Sequence, residues 1–460
     1  MKGERMSGGL DRLFNAGSVA VVGASTNPGK LGYQILANIV LGGYQGRVYP
    51  VNPRAGTILD LPVYPSVADI PCDFDLVVAV VRADLVPGAL REAAAKGAGA
   101  GIIISGGFRE AGRDDLEDEL RAAAIDTGMR LVGPNCQGIN YRPNKLCASW
   151  PLVEPSGSMA VISQSGTVAA TLAGWAVDEG LGISATVSLG NQVDVCETDM
   201  IEFFAEDDNT RVMALYLEGA KDGRRFLEVA KRVILEKPMV ILKSGRTAAG
   251  QRAAASHTRS LAGHDGVFDA ACRQFGIVRA YDIESLYDSA KALEMLELTG
   301  GERIAIITSS GGCGILATDE AEQCGLTVPP LPPEVAAELG RAGLLPTAIL
   351  ANPLDLTVAP AEHYAAALAA MDRHGLADVY LLVFGDPIPG ATEVVQRLKA
   401  RIGACIAVAY LGGGDVEKSE RLSMHAAGVP VFPTPERAIR AIGDAVWATK
   451  YRLGKGRDLR

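Results

Sequence analysis

Three times along this chain an apolar strand pattern runs into a short turn rich in glycine and hydroxyls that opens directly onto a helical period. That recurrence limits the fold more than any other feature. The first copy is Val19 to Val22, then Gly23-Ala24-Ser25-Thr26-Asn27-Pro28-Gly29-Lys30-Leu31-Gly32, then the helical run Tyr33 to Leu41. The second is Met159 to Ser163, Gln164-Ser165-Gly166-Thr167, and a helix with Val168, Leu172, Trp175 and Ala176 on its apolar face. The third is Arg303 to Thr308, Ser309-Ser310-Gly311-Gly312-Cys313-Gly314 and the helix Ile315 to Gln323. A turn between a strand end and a helix start aims backbone N–H groups at an anion. Apolar strands alternating with helices indicate parallel sheets covered on both faces.

At 460 residues the chain is too long for one ordinary core and divides into two or three domains. The stretch Arg142 to Ser158, with Pro143, Pro151, Pro155 and Gly157, reads as a linker, and Thr299-Gly300-Gly301-Glu302 as a second boundary. The expectation is an α/β protein of three parallel-sheet domains, at 1–142, 156–298 and 302–460.

Composition removes several function classes. A formal charge of −10, from 54 acidic against 44 basic residues, disfavours a nucleic-acid partner. The eight cysteines contain no Cys-x-x-Cys pair and suit a reduced, cytoplasmic protein. Met1 to Leu10 lacks an apolar signal run, and no stretch is long enough to cross a membrane. His264, His363, His374 and His425 do not cluster with cysteines at ligand spacing, so no metal site is expected.

Ligands of parallel sheets lie across the carboxyl ends of the strands. Val51-Asn52-Pro53, Ser105-Gly106-Gly107-Phe108 and Gly133-Pro134-Asn135-Cys136 fall at such ends. Asn52, Pro53 and Arg54 stand where a dinucleotide site would carry an acid for the ribose, which argues against a dehydrogenase and for a phosphate-bearing nucleotide. His257, within Ala253 to Gly263, has no apolar neighbours in period and reads as a loop imidazole, either reactive or a solvent-facing spectator. Glu218 directly follows the strand pattern Val212 to Leu217. It is either a solvated loop acid or the acceptor of the imidazole Nδ1–H that leaves Nε2 as a nucleophile. With helix starts near Ser165 and Ser310, each worth about 0.3–2 kcal/mol to an anion, these residues suggest phosphoryl relay.

The short motifs, taken in order, resemble the α subunit of NDP-forming acyl-CoA synthetases, including the ADP-forming acetyl-CoA synthetases, and more distantly succinyl-CoA synthetase. They are Gly23-Ala24-Ser25 with Gly29 and Gly32, Gly133-Pro134-Asn135-Cys136 with Gly138, Ser163-Gln164-Ser165-Gly166, Tyr216-Leu217-Glu218-Gly219, Ser256-His257-Thr258, Ser309-Ser310-Gly311-Gly312 with Gly314, and Asn352-Pro353-Leu354-Asp355-Leu356. The resemblance implies a Rossmann-like CoA-binding domain followed by two flavodoxin-like ligase domains. It places coenzyme A against Gly23, Ala24, Ser25, Gly29, Lys30, Gly32, Asn52, Pro53 and Asn135. It places phosphate against Ser163, Ser165, Gly166, Thr167, Ser310, Gly311, Gly312 and Gly314, and a phosphohistidine at His257 supported by Glu218.

The implied reaction is carboxylate + CoA + ATP = acyl-CoA + ADP + phosphate through an acyl phosphate, with the acyl group left open. No ATP-grasp region is present, so ATP or ADP with Mg2+ is expected on a separate β subunit, in an α₂β₂ assembly. Arg259 stands where the family motif has glycine. The alternative is a CoA- or acyl-CoA-binding regulatory protein that has lost the nucleotide half-reaction.

Overall fold

The computed structural model describes residues 9–54, 56–150, 156–258 and 264–458. The chain forms two compact units, Met1–Asp178 with Gly182–Phe275, and Glu179–Leu181 with Gly276–Arg460.

The first unit opens with a parallel sheet of five strands in the order Arg47–Val51, Ser18–Val22, Leu76–Ala79, Ala100–Ile103, Arg130–Val132. Every residue of Ser18–Val22, Leu76–Ala79 and Ala100–Ile103 is buried, which is why these strands read as unbroken apolar runs rather than alternating ones. Strand order reverses at Ser18–Val22, and such switch points leave a crevice at the carboxyl ends. The helix that follows is Leu31–Leu41, starting two residues earlier than its period suggested, so that Gly32 lies in its first turn. It buries Ile35, Leu36 and Ile39 against the sheet, each worth about 1.5–3 kcal/mol.

The unit's second sheet runs Met239–Lys243, Val212–Leu217, Ser156–Ser163, Ile183–Ser188, Gly138–Tyr141, Leu146–Ser149. The first four strands are parallel, and the last two form an antiparallel hairpin on their edge. The linker expected over Arg142 to Ser158 is therefore partly structured. Tyr141 and Leu146 pair across the tight Arg142–Asn144 turn, closed by Lys145 at φ 58°. Leu146, Cys147 and Ala148 are fully buried. Prolines masked this strand because they lie at its two ends, not inside it. The hairpin joins the two sheets, since Asn38 Nδ2 donates to the Ser149 carbonyl at 2.7 Å and the Phe14 ring meets Tyr141 edge-on at 5.3 Å.

A second correction concerns His257. Its backbone belongs to the helix Ala248–Thr258, not to a loop. Alanine is the strongest helix former, so a segment lacking an apolar stripe is helical through propensity alone. The imidazole of His257, and Arg259, lie outside the described residues.

The second unit is a parallel sheet in the order Leu354–Asp355, Ile304–Thr308, Val379–Phe384, Cys405–Tyr410, Val431–Phe432. The short apolar run Leu326 to Val328 forms no strand and makes one bridge, Arg303 to Thr327. The motif Asn352 to Asp355 passes a cis Asn352–Pro353 bond into the two-residue edge strand. No described helix is long and apolar enough to cross a membrane.

Beneath that sheet's helices sits a buried polar cluster. His425 accepts the Val431 N–H on Nε2 at 3.1 Å, so its Nδ1 carries the proton donated to the Glu179 carbonyl at 2.9 Å. Burial, aided by the nearby Lys291 ammonium, pushes the ring from its ordinary value down to about 4. The unfolded ring gains its proton near pH 6.5, so the contribution to stability is complete above 6.5 and is lost as pH falls through 4. His425→Gln, which cannot titrate, is therefore expected to close on the wild type by about 3 kcal/mol between pH 7 and pH 4 in urea unfolding. A constant gap across that range would show that His425 does not titrate differently in the two states.

Candidate functional site

At the switch point lies a cleft of about 800 Å³ lined by Gly23, Ser25, Asn27, Lys30, Asn52, Pro53 and Arg54 on one wall and by Ser66, Val81, Asp84 and Glu92 on the other. Its floor rests on two interlocked glycines, Gly23 in the lining and Gly32 buried behind it. Gly23 takes φ 94°, and a Cβ there would sit 2.4 Å from the Val80 carbonyl oxygen. A Cβ on Gly32 would sit 2.0 Å from the Gly23 carbonyl oxygen. Only glycine lets the helix start press against the turn this closely. Lys30 ends the turn in an extended conformation, and no acidic side chain occupies the first turn of Leu31–Leu41. The helix thus presents its positive end unneutralised by its own residues, as an anion site requires.

Asn52 holds the turn in place, its Nδ2 donating to the Ala24 carbonyl at 2.7 Å while its Oδ1 accepts the Arg54 N–H at 2.8 Å. That explains the asparagine where a ribose-binding acid was absent: it is bonded to protein. Gly29 N–H donates to Asn27 Oδ1 at 2.9 Å. The arrangement suits a long ligand with phosphates and an amine-bearing ring, since cationic Lys30 and Arg54 share the cleft with anionic Asp84 and Glu92. Arg54 was legible from its place after the second strand; Val81, Asp84 and Glu92 were not, and Glu92 comes to the cleft from within the helix Val86–Ala95.

From this cleft the carboxyl-end loops lead step by step to the second helix start. Ser105 Oγ accepts the Val81 N–H at 3.1 Å, and the Ser105 carbonyl accepts the Asn135 N–H at 2.9 Å. Asn135 has φ 56° and its Nδ2 donates to Asn191 Oδ1 at 3.3 Å. Two residues on, Gln137 lies so close to Gly166 that a Cβ on Gly166 would meet Gln137 Cγ at 2.6 Å. The structure therefore brings Asn135 beside the turn that carries Ser163, Ser165, Gly166 and Thr167.

That turn is built by a hydroxyl at the end of the strand. Ser163 Oγ donates to the Ser165 carbonyl at 2.6 Å and accepts the Ser165 N–H at 3.1 Å, and the helix Gly166–Asp178 then begins. Thr167 is exposed in its first turn. The second unit repeats the device. Thr308 Oγ1 donates to the Ser310 carbonyl at 3.0 Å and accepts the Ser310 N–H at 2.9 Å, and the helix Gly311–Gln323 follows, with Gly312 exposed and Gly314 buried against Pro353. Here a carboxylate is already close, because a Cβ on Gly311 would stand 2.7 Å from Asp355 Oδ2.

Glu218 is buried directly after its strand, two residues beyond the Ser163–Tyr216 pair. Its backbone N–H donates to Gln164 Oε1, which the sequence reading left out of the site. Among the described residues, no group of histidine, cysteine, aspartate or glutamate side chains has the makings of a metal site.

Comparison with known proteins places this geometry. A model described as a CoA binding domain matches residues 17–142, and one described as a succinyl-CoA ligase-like flavodoxin domain matches 156–293. The α subunit of acetate–CoA ligase (ADP-forming) I of Pyrococcus furiosus is 41% identical over 96% of this chain and 99% of its own. The acetate–CoA ligase (ADP-forming) I of Archaeoglobus fulgidus is 38% identical over 94% of this chain but only 63% of its own longer one. A dinucleotide-forming acetyl-coenzyme A synthetase of Ca. Korarchaeum cryptofilum, solved with phosphate and ADP, is 37% identical and superposes with a TM-score of 0.90 over 98% of this chain and 99% of that one. The chain belongs to the α-subunit family of ADP-forming acetate–CoA ligases, which is closely related to the succinyl-CoA synthetase superfamily.

Proposed function

We propose that this chain holds coenzyme A in the cleft at Gly23–Gly32, forms acyl phosphate from acyl-CoA and phosphate beside the Gly166 helix start, and passes the phosphoryl group to His257. The observation that supports this best is the placement of buried Glu218 next to the Ser163–Gly166 turn. Coenzyme A fits the cleft on its glycine floor, helix start and basic pair, and phosphate fits backbone N–H groups at Gly166, with Ser165 and Thr167 as hydroxyl donors. The helix starting at Gly311, with Ser310, Gly312 and Gly314, is a second helix start of the same kind, suited by itself to an anion.

In this reading phosphate attacks the thioester carbonyl, the C–S bond breaks, and CoA leaves as the thiol. His257 Nε2 then attacks phosphorus, the P–O bond to the acyl oxygen breaks, and the carboxylate departs. Glu218 accepts the Nδ1–H throughout and stabilises the positive character of the phosphorylated ring. The three functional domains are 1–142, 156–298 and 302–460. An ATP-grasp β subunit carrying ADP and Mg2+ takes the phosphoryl group, in a cytoplasmic α₂β₂ enzyme. The longer chain of the Archaeoglobus relative leaves room for such a region within one polypeptide.

The test supplies the chain and its β subunit with acetyl-CoA and radiolabelled phosphate. Base-stable, acid-labile label on His257, absent in His257→Asn, is the expected result. Binding of CoA with no label under any acyl-CoA would leave a CoA-binding regulatory protein and end the synthetase reading.

A further inference from the structure

From the hydrogen bonds around Glu218 we infer that Gln164 is a positioning residue of the phosphoryl-transfer step, setting the height of Glu218 through its backbone. The inference rests on the proposed partnership of Glu218 with His257.

The two adjacent strands Ser156–Ser163 and Val212–Leu217 end in register, Ser163 against Tyr216. Beyond that point the ladder has one more rung, from the Gln164 N–H to the Tyr216 carbonyl at 3.1 Å, and then stops. A strand end of this kind leaves the next backbone groups to be satisfied by something else. The Gln164 side chain takes that role. Its Oε1 accepts the N–H of Glu218 and that of Gly219, the latter at 3.2 Å, while its Nε2 donates to the Gly219 carbonyl at 2.7 Å. One primary amide therefore binds three backbone groups of the Glu218–Gly219 turn.

The amide is itself held. Its Nε2 also reaches Gln192 Oε1 at 3.3 Å, and Gln192, at φ 58°, donates from Nε2 to Glu197 Oε2 at 3.1 Å. Glu197 is wholly buried and accepts the Lys221 N–H on Oε1 at 3.3 Å, while the Lys221 ammonium donates to the Gln192 carbonyl. Gln192, Glu197 and Lys221 close a ring of three, and Gln164 ties the Glu218–Gly219 turn to it through Gln192. Buried networks of this kind fix geometry when every member is satisfied. Gln164 also adjoins Ser165 and Gly166, so one residue couples the height of the carboxylate to the start of the phosphate-facing helix. A misplacement of about 1 Å costs on the order of 100-fold in rate.

The chemistry requires an amide at 164, with acceptor and donor ends, which separates positioning from space-filling. Gln164→Met keeps the volume and removes both ends. Its phosphorylation rate is expected to fall on the order of 100-fold, with CoA affinity and KM for acyl-CoA within about threefold of wild type. Gln164→Glu keeps the two acceptor bonds and loses the donor ones. Its rate is expected to lie between those of wild type and Gln164→Met, a partial rescue by the acceptor end alone. A packing role would leave both variants at the wild-type rate.

Labelling of wild type at His257 with both variants at the wild-type rate, or a loss in Gln164→Glu as large as in Gln164→Met, would overturn the positioning role and leave the proposed function intact. Absence of label in wild type itself would instead remove the function on which it rests.

Discussion

Lys291→Met is expected to destabilise the second unit by about 3–5 kcal/mol, the largest stability loss from any single side chain described above. Lys291 has no solvent exposure. Its ammonium donates to Glu179 Oε2 at 3.0 Å and to the Val431 carbonyl at 2.8 Å, and lies 4.6 Å over the Phe432 ring. Burial pushes the Glu179 carboxyl up, and the Lys291 charge overrides it and holds the group below its ordinary value. Tyr287 donates to the same oxygen at 3.0 Å, and Arg421 stands 4.0 Å from the other.

Methionine fills the volume but leaves that carboxylate without its principal counter-charge, and an uncompensated buried charge costs more than the pair contributes. Adding Glu179→Gln removes the stranded charge, so the double variant is expected to recover at least half of the loss. Urea unfolding followed by tryptophan and tyrosine fluorescence measures both. A single variant within about 1 kcal/mol of wild type would show the charge to be solvated in place.

Lys291 also illustrates where sequence reading stops. Its helix, Ile283–Met295, carries an apolar period, but nothing in Ala290-Lys291-Ala292 distinguishes a buried lysine from a solvated one. The partner Glu179 is 112 residues away, in a segment that belongs to the second unit while its neighbours on both sides belong to the first. Such pairings are set by chain topology, which has no local signature.

The turn–helix starts were legible because their chemistry is local. Gly23 with Gly32, and Ser163 with Ser165, act within ten residues of each other. Gln164 illustrates the intermediate case. It stood inside a recognised motif, yet its work is across the sheet on Glu218 and Gly219, 54 and 55 residues on. The Leu146–Ser149 strand and the Ala248–Thr258 helix were missed for opposite reasons. In the first, flanking prolines outweighed a short apolar run; in the second, alanine propensity formed a helix without any apolar stripe to reveal it.

Gly32→Ala is expected to weaken coenzyme A binding at least 100-fold, about 2.8 kcal/mol, while Gly29→Ala three residues earlier changes it by less than threefold. Alanine is ordinarily favourable in a helix by about 0.8–1.0 kcal/mol over glycine, so propensity alone predicts a gain at Gly32. The local geometry reverses it. A Cβ at Gly32 would stand 2.0 Å from the Gly23 carbonyl oxygen, 3.0 Å from its carbon and 3.4 Å from Ala24 Cα, all backbone. None of these is a side-chain end that swings aside.

Gly23 has no room to retreat, because its own position at φ 94° is bounded by the Val80 carbonyl and its N–H is bonded to the Val51 carbonyl at 3.0 Å. The helix must therefore lift away from the turn, carrying Lys30 and the first-turn N–H groups off the phosphate position. At Gly29 the nearest atom is Asn27 Oδ1 at 3.3 Å, the end of a side chain, which yields by a few tenths of an ångström. Isothermal titration of wild type and both variants with coenzyme A decides it, with circular dichroism to confirm that Gly32→Ala is folded. Equal affinities for Gly32→Ala and Gly29→Ala would mean that the ligand does not use this helix start, and that the cleft serves a molecule bound by its opposite wall.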